Sequence, residues 1–288
     1  MVFEEIYDDI LKKNEEFGKS QRAGIKERFS PTDLGGCQRK LALQFFNAPE
    51  DISQEDDNVG RRVLSMGNII HQELQAKLKQ SLKEIKSEHY FRVPLNKENP
   101  DIIFSGSCDS LMFHDTMGII ALEYKSINGF AYKYILDEPK KEHLSQLNMY
   151  LHYFKIDKGV IIYYNKNDST IKEHKIKYDK ELAEKDINFI IETQREYVDK
   201  LKLPEKDISY TKTAFPCSYC KFKQICYEGK NWKSEHYNKK VEEKIKLNDW
   251  VTKETIIVES VKVKETFKID LSGINEDIEE SSENYNIF

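Results

Sequence analysis

The 288-residue sequence predicts an α/β domain with a central mixed sheet flanked by helices. Two observations carry that expectation. Short stretches rich in apolar and aromatic residues follow one another closely between positions 89 and 178, and segments of helical periodicity lie before, between and after them.

Taken in order, residues 1–28 read as a charged amphipathic helix, with Ile6, Ile10 and Phe17 at helical intervals. Ser30 or Thr32 caps the next helix start, and Pro31 favours an opening turn. Leu41, Leu43, Phe45 and Phe46 then supply apolar packing surface. PEDISQEDDN (49–58) is a polar, acidic loop. A long helical pattern over 60–86 turns Leu64, Ile69, Ile70, Leu74 and Leu78 inward. Strands are predicted at 89–95, 102–113 and 119–125, the last two joined by an HDTMG hairpin turn. Residues 139–156 form a helix with Leu144, Leu147, Leu151 and Phe154 on one side. Two more strands (160–165 and 169–178) and a helix over 179–202 lead to a cysteine group at 217–226. Beyond it, 231–250 reads as a helix, 255–271 alternates in the manner of strands, and the polar terminus frays. This gives an N-terminal helical segment (1–28), a main domain (29–229) and a C-terminal extension (230–288) suited to docking or oligomerisation.

Composition narrows the function classes. Hydrophobic residues make up 39% and charged residues 33%, as in a soluble globular protein with a wetted surface. The net charge of -5 gives no global attraction to nucleic acid, so any such contact must be a local basic groove. No segment approaches ~18 continuous apolar residues, which excludes a membrane-spanning helix. The acidic N-terminus is unlike a secretory signal, so the expected location is the cell interior, the cytoplasm (of the host for a virus-encoded chain). Five cysteines are too few for a disulfide scaffold at this length.

Three charged residues carry candidate chemistry. Asp109 lies within GSCD on one predicted strand. Glu123 and Lys125 stand two apart in ALEYK, so both project from one face of the next. Charges inside a half-buried sheet are tolerated mainly when paired or bound to metal. Asp109 and Glu123 supply the oxygen ligands that Mg²⁺ or Mn²⁺ favours, and Lys125 suits a developing phosphoryl charge. His71, on the preceding helix, is a candidate extra ligand. From spacing alone, a surface salt bridge accounts for Glu123 and Lys125 equally well, and His71 for a polar surface histidine. Gln146 and Tyr150 share a helix face four residues apart, where they suit a phosphate, a base or the site's own support.

Cys217, Cys220 and Cys226 form C-x₂-C-x₅-C, with Cys37 the natural fourth ligand because Cys108 lies in the GSCD strand. Four thiolates suit tetrahedral zinc or a [4Fe–4S] cluster, and either would join two distant parts of the chain. Arg39, Arg61 and Arg62, with Lys133, Lys140 and Lys141, are candidate phosphate contacts.

Together these residues resemble the RecB-type nucleases of the PD-(D/E)XK superfamily, in particular the iron–sulfur branch containing the CRISPR-associated RecB-like exonuclease and the AddB nuclease domain. The resemblance spans roughly residues 29–229. It rests on SPTDLGGCQRK with Cys37, GNIIHQEL with His71, GSCD with Asp109, EYK with Glu123 and Lys125, QLNMY with Gln146 and Tyr150, and the cysteine trio. It implies a restriction-endonuclease-like core with an iron–sulfur subdomain. Asp109, Glu123, His71 and the Tyr124 main-chain carbonyl would hold Mg²⁺ or Mn²⁺, Lys125 would be catalytic, and Cys37, Cys217, Cys220 and Cys226 would hold a [4Fe–4S] cluster. The implied activity is DNA hydrolysis from ends, often single-stranded, with endonuclease action an additional possibility. Alternative expectations are a CRISPR adaptation nuclease working beside an integrase, a phage or plasmid recombination exonuclease, and a cluster-stabilised docking protein in a recombination complex.

Overall fold

Among the described residues, five strands form one sheet in the order β1 (Lys83–Pro94), β2 (Ile103–His114), β3 (Gly118–Ile127), β4 (Lys158–Asn165) and β5 (Ile171–Lys177). Neighbours are antiparallel except β3 and β4, which run parallel. The computed structural model describes residues 3–21, 26–51, 58–80, 82–214 and 216–250. The chain divides into two units, Met1–Glu243 and Lys244–Phe288, and every side chain discussed below belongs to the first.

A two-residue hairpin can join antiparallel strands, but a parallel pair needs a crossover. Here α4 (Gly129–Tyr132) and α5 (Lys141–Phe154) supply it between β3 and β4. The β2–β3 turn closes where Gly118 takes φ +71°, a conformation that glycine adopts without a Cβ penalty.

β3 lies in mid-sheet and alternates between two cores. Ile120, Leu122 and Tyr124 pack on one side with Val160, Ile162 and the half-buried Leu74 and Leu78 of α3 (Asn58–Leu78). Ala121 packs on the other with Ile161, Tyr163 and Leu147 of α5. Seven consecutive α5 residues, Ser145–Leu151, are buried. Residue 123 shares the face of Ala121, so β3 sends its carboxylate toward α5.

A third, smaller core joins Leu43 of α2 (Gln38–Phe45) and Ala48 to Phe222 and to Ile225 of α7 (Lys223–Glu228). The Asp51 amide donates to the Lys221 carbonyl at 2.7 Å, and Asp51 accepts from the Gln224 amide at 3.1 Å. Cys37 is the N-cap of α2, so this core carries it toward Cys226. The SPTD turn lies on β2 at Gly106, where an added Cβ would stand 2.8 Å from Pro31 Cδ.

Several sequence expectations are corrected. The helix expected over 60–86 stops at Leu78, and Lys83 to Lys86 already belong to β1. α3 buries no side chain fully: Leu64 is 72% and Ile69 52% exposed. Its N-terminal half is also held by ion pairs to α1 (Phe3–Gln21). β1 outruns its predicted span because edge strands carry charge, and KEIKSE reads as polar. The helix expected over 179–202 is α6 (Lys180–Glu192) followed by a π-helical turn, Thr193–Val198. The predicted helix at 231–250 appears as α8 (Glu235–Trp250), while the strands expected at 255–271 lie outside the described residues. No described helix is long and apolar enough to cross a membrane.

Candidate functional site

β3 and α5 bring Glu123, Lys125, Gln146 and Tyr150 into one hydrogen-bonded set, and β2 adds Asp109 beside it. Lys125 Nζ donates to Glu123 Oε1 at 2.6 Å and to Gln146 Oε1 at 3.1 Å. Gln146 Nε2 donates to the same Glu123 oxygen at 2.7 Å and to Tyr150 Oη at 3.3 Å. Tyr150 passes its own proton to the Ser107 carbonyl at 2.7 Å. Asp109 Oδ2 accepts from the Tyr124 amide at 2.8 Å, which fixes its carboxylate beside β3. Glu123 is only 2% exposed, and its Oε2 is buried with no hydrogen-bond partner among the described residues.

The electrostatics follow from that burial. Desolvation pushes the Glu123 carboxyl up to about 8, against the pull of Lys125. It raises Asp109 as well, opposed by the Tyr124 amide, His71 and Lys125. His71 Nδ1 lies 3.8 Å from Asp109 Oδ2, and burial lowers the imidazole, favouring its neutral, ligand-competent form. Two crowded carboxylates, one with an orphaned oxygen, form a donor set that a divalent cation would relieve. Among the described residues no three His, Cys, Asp or Glu side chains converge tightly enough for one ion, so the fit rests on the carboxylate pair.

Tyr150 corrects an expectation. It is 1% exposed, and both its hydrogen bonds run inward, so it braces Gln146 and reaches neither phosphate nor base.

The sequence reading missed three neighbours. Gln75, one helical turn beyond His71, donates to the Asp109 carbonyl at 2.9 Å and to Glu88 at 3.2 Å. Glu88 also accepts from Ser107 at 3.1 Å and takes φ +48°, unusual for a non-glycine residue. His143, one turn before Gln146, bonds Tyr163 Oη at 2.7 Å and is lowered to about 3 by burial, Lys125 and Lys140. Helical spacing from His71 and Gln146 was a signal for Gln75 and His143. Nothing in the sequence marks the Glu88 backbone.

A second feature lies on the α2–α7 side. Cys37, Cys217, Cys220 and Cys226 line one cavity of about 710 Å³ with Arg39, Lys40 and Tyr227. All are free thiols. Burial raises Cys220 and Cys226, and the neighbouring thiols add to the rise. Cys108 is fully buried beside the carboxylates and lies outside that cavity's lining.

A family model for the PD-(D/E)XK nuclease superfamily matches residues 27–227. The chain belongs to that superfamily. The Glu123-Tyr124-Lys125 tripeptide reads as its (D/E)XK, and Asp109 is preceded by Cys108 where the family name has proline. No curated protein sequence matches. The structure described as that of SSO0001 shares the fold, at 19% identity and TM-score 0.54, over 77% of this chain and 97% of that one. More distant are an alkaline exonuclease from Laribacter hongkongensis (16% identity, 62% of this chain and 93% of that one, TM-score 0.40) and a phage-related exonuclease from Haemophilus somnus 129PT (16%, 60% and 94%, TM-score 0.36).

Within this PD-(D/E)XK nuclease the predicted arginine contacts are engaged by other protein groups. Arg61 Nε donates to Glu15 at 2.7 Å, and Arg62 grips Asp8 and Glu4 at 2.6 Å each. Their guanidinium groups dock α1 on α3. Arg39 donates to the Pro204 carbonyl and faces the thiol cavity.

Proposed function

We propose that this nuclease hydrolyses DNA phosphodiester bonds with Mg²⁺ or Mn²⁺, working from free ends and favouring single strands. The observation that supports this most directly is the buried, unpartnered Oε2 of Glu123 beside Asp109. These two carboxylates would hold the cation, with the Tyr124 carbonyl and His71 as further ligands. When bound, such an ion polarises the scissile phosphate and lowers the pKa of a coordinated water. Lys125, held by Gln146 but not fully buried, orients its ammonium toward the reacting phosphoryl oxygens and stabilises their developing charge. Tyr150 and Ser107 keep Gln146 from rotating away.

The thiol cavity supports membership of the iron–sulfur RecB-like branch. Four free cysteines around one cavity match the donor set of a [4Fe–4S] cluster. Each thiolate of such a cluster binds a different iron, so the sulfurs need not crowd one point.

Anaerobically purified protein tests both parts. Wild type should degrade end-labelled single-stranded DNA with Mn²⁺ and spare circular DNA, Lys125→Ala should not cut, and both should carry iron with visible absorbance. An active Lys125→Ala variant overturns the catalytic assignment, and colourless, iron-free active protein overturns the cluster.

A further inference from the structure

Immediately beyond the Lys125 strand, α4 and the 3-10 turn after it (Lys133–Ile135) carry two exposed aromatic residues on a well-held backbone. Ile135 is fully buried, and Ala131 and Tyr132 pack partly against the main core. The Asn128 side chain caps the turn from the Ala131 amide at 2.8 Å, and Asn167 holds the Gly129 amide at 2.7 Å. His174 Nε2 bonds the Ile135 carbonyl at 2.7 Å. Three hydrogen bonds thus hold this backbone. Yet Phe130 is 72% and Tyr134 71% exposed, their ring centroids 5.3 Å apart at 65°. Scattered surface apolar residues are ordinary, but a paired, rigidly mounted aromatic couple in water needs a reason.

Position supplies one. β3 and β4 are parallel, so their C-terminal ends open on the same edge of the sheet, with Ile127 opposite Asn165 and Lys125 opposite Tyr163. Lys166, whose amide donates to the Ile127 carbonyl at 2.8 Å, stands close enough for its charge to act on His71. Lys133 is exposed between the two rings in sequence. Of the acids nearby, Asp168 is tied to the Thr170 hydroxyl and amide, while Asp137 and Glu138 are exposed a few positions after Tyr134. Exposed aromatic faces with lysines nearby, on the segment that leaves the C-terminal end of the strand bearing Lys125, have the chemistry that holds an unpaired nucleic-acid strand: bases stack on the rings and phosphates meet the lysines.

We propose that Phe130 and Tyr134 form a base-stacking platform that seats single-stranded DNA beside the Asp109–Glu123–Lys125 site. The inference rests on the nuclease reading, because it takes its substrate class from there. Inside a duplex the base faces are taken up by neighbouring pairs, and only a terminal pair keeps one face free, so the platform favours unpaired strands.

The test measures binding and cleavage separately. Affinity for a fluorescent oligothymidylate and for a blunt duplex is read by anisotropy in Ca²⁺, and cleavage of both in Mn²⁺. A Phe130→Ala/Tyr134→Ala protein should keep its thermal midpoint, weaken single-strand binding by roughly ten- to a hundredfold and leave duplex binding unchanged. Phe130→Tyr with Tyr134→Phe should restore it, whereas leucine at both positions should not. Equal single-strand affinity in wild type and the alanine variant overturns the platform, as does equal loss on duplex or no wild-type binding. Selective binding without wild-type cleavage overturns the nuclease reading and leaves the platform standing.

Discussion

Gln146 donates its amide nitrogen to the same Glu123 oxygen that Lys125 grips, 2.7 Å away, while its carbonyl oxygen accepts from the Lys125 ammonium. The glutamine therefore fixes the relative position of acid and base. Replacing it by leucine keeps the volume near Tyr150 but removes both bonds. We expect Gln146→Leu to fold and bind DNA, with single-turnover cleavage falling on the order of a hundredfold, as when one positioned donor is lost. Weakened DNA binding with an unchanged rate would contradict this.

Glu123 gives a pH signature in metal-free protein. Its folded pKa is raised to about 8. Between its ordinary value and that figure the folded chain binds more protons than the unfolded chain, so stability is lost as pH rises through the window. Glu123→Gln cannot titrate. With chelator present, the thermal midpoint of the variant should gain on wild type between pH 5 and 8. A gap that shrinks over that range would refute the raised value. Mn²⁺ affinity of wild type, measured by calorimetry, should climb over the same window as the cation displaces protons.

The Gln75 side chain ties α3 to the strand bearing Asp109, and α3 has no fully buried side chain to hold it otherwise. Gln75→Ala should cost about 1 kcal/mol and speed amide exchange through the helical turns around His71. Unaltered exchange there would mean that the half-buried Leu74 and Leu78 dock the helix on their own.

Iron content separates the cysteines. Cys37→Ala or Cys217→Ala should lose iron and unfold at a lower temperature, because the centre joins segments far apart in sequence. Cys108→Ala, remote from the cavity's lining, should retain it. Iron loss in the Cys108 variant alone would reverse the assignment.

Arg62 is engaged by Asp8 and Glu4. Arg62→Ala should loosen α1 yet leave DNA affinity and its salt slope as they were. A slope reduced by about one unit would instead reveal a phosphate contact.

Sequence pattern revealed much of this architecture, for identifiable physical reasons. β2, β3 and α5 are covered on both sides or alternate strictly, so their apolar signals were strong, and the residues they carry meet in space. The inward face of α3 was overread because its exposed Leu64 and Ile69 imitate a buried stripe. The opening of β1 was missed because solvated edge strands do not alternate cleanly. Arg61 and Arg62 looked like free cations, since their acidic partners lie some fifty positions upstream on another helix. The role of Glu88 arises from contacts between elements that no local pattern encodes, whereas Gln75 stands one helical turn from His71.

The single parallel pairing, β3 on β4, also sets a timetable. As the chain grows from its N-terminus, β1, β2 and β3 zip up by local hairpins, placing Asp109, Glu123 and Lys125 together early. Gln146 and Tyr150 arrive with the crossover, still before β4 has been made. Cys217, Cys220 and Cys226 are made after all five strands and come to line one cavity with Cys37 from the opening turns. Asp109, Glu123, Lys125, Gln146 and Tyr150 are thus all synthesised before the trio, so a ribosome-bound chain halted short of Cys217 would carry that set without the α7 side of the third core.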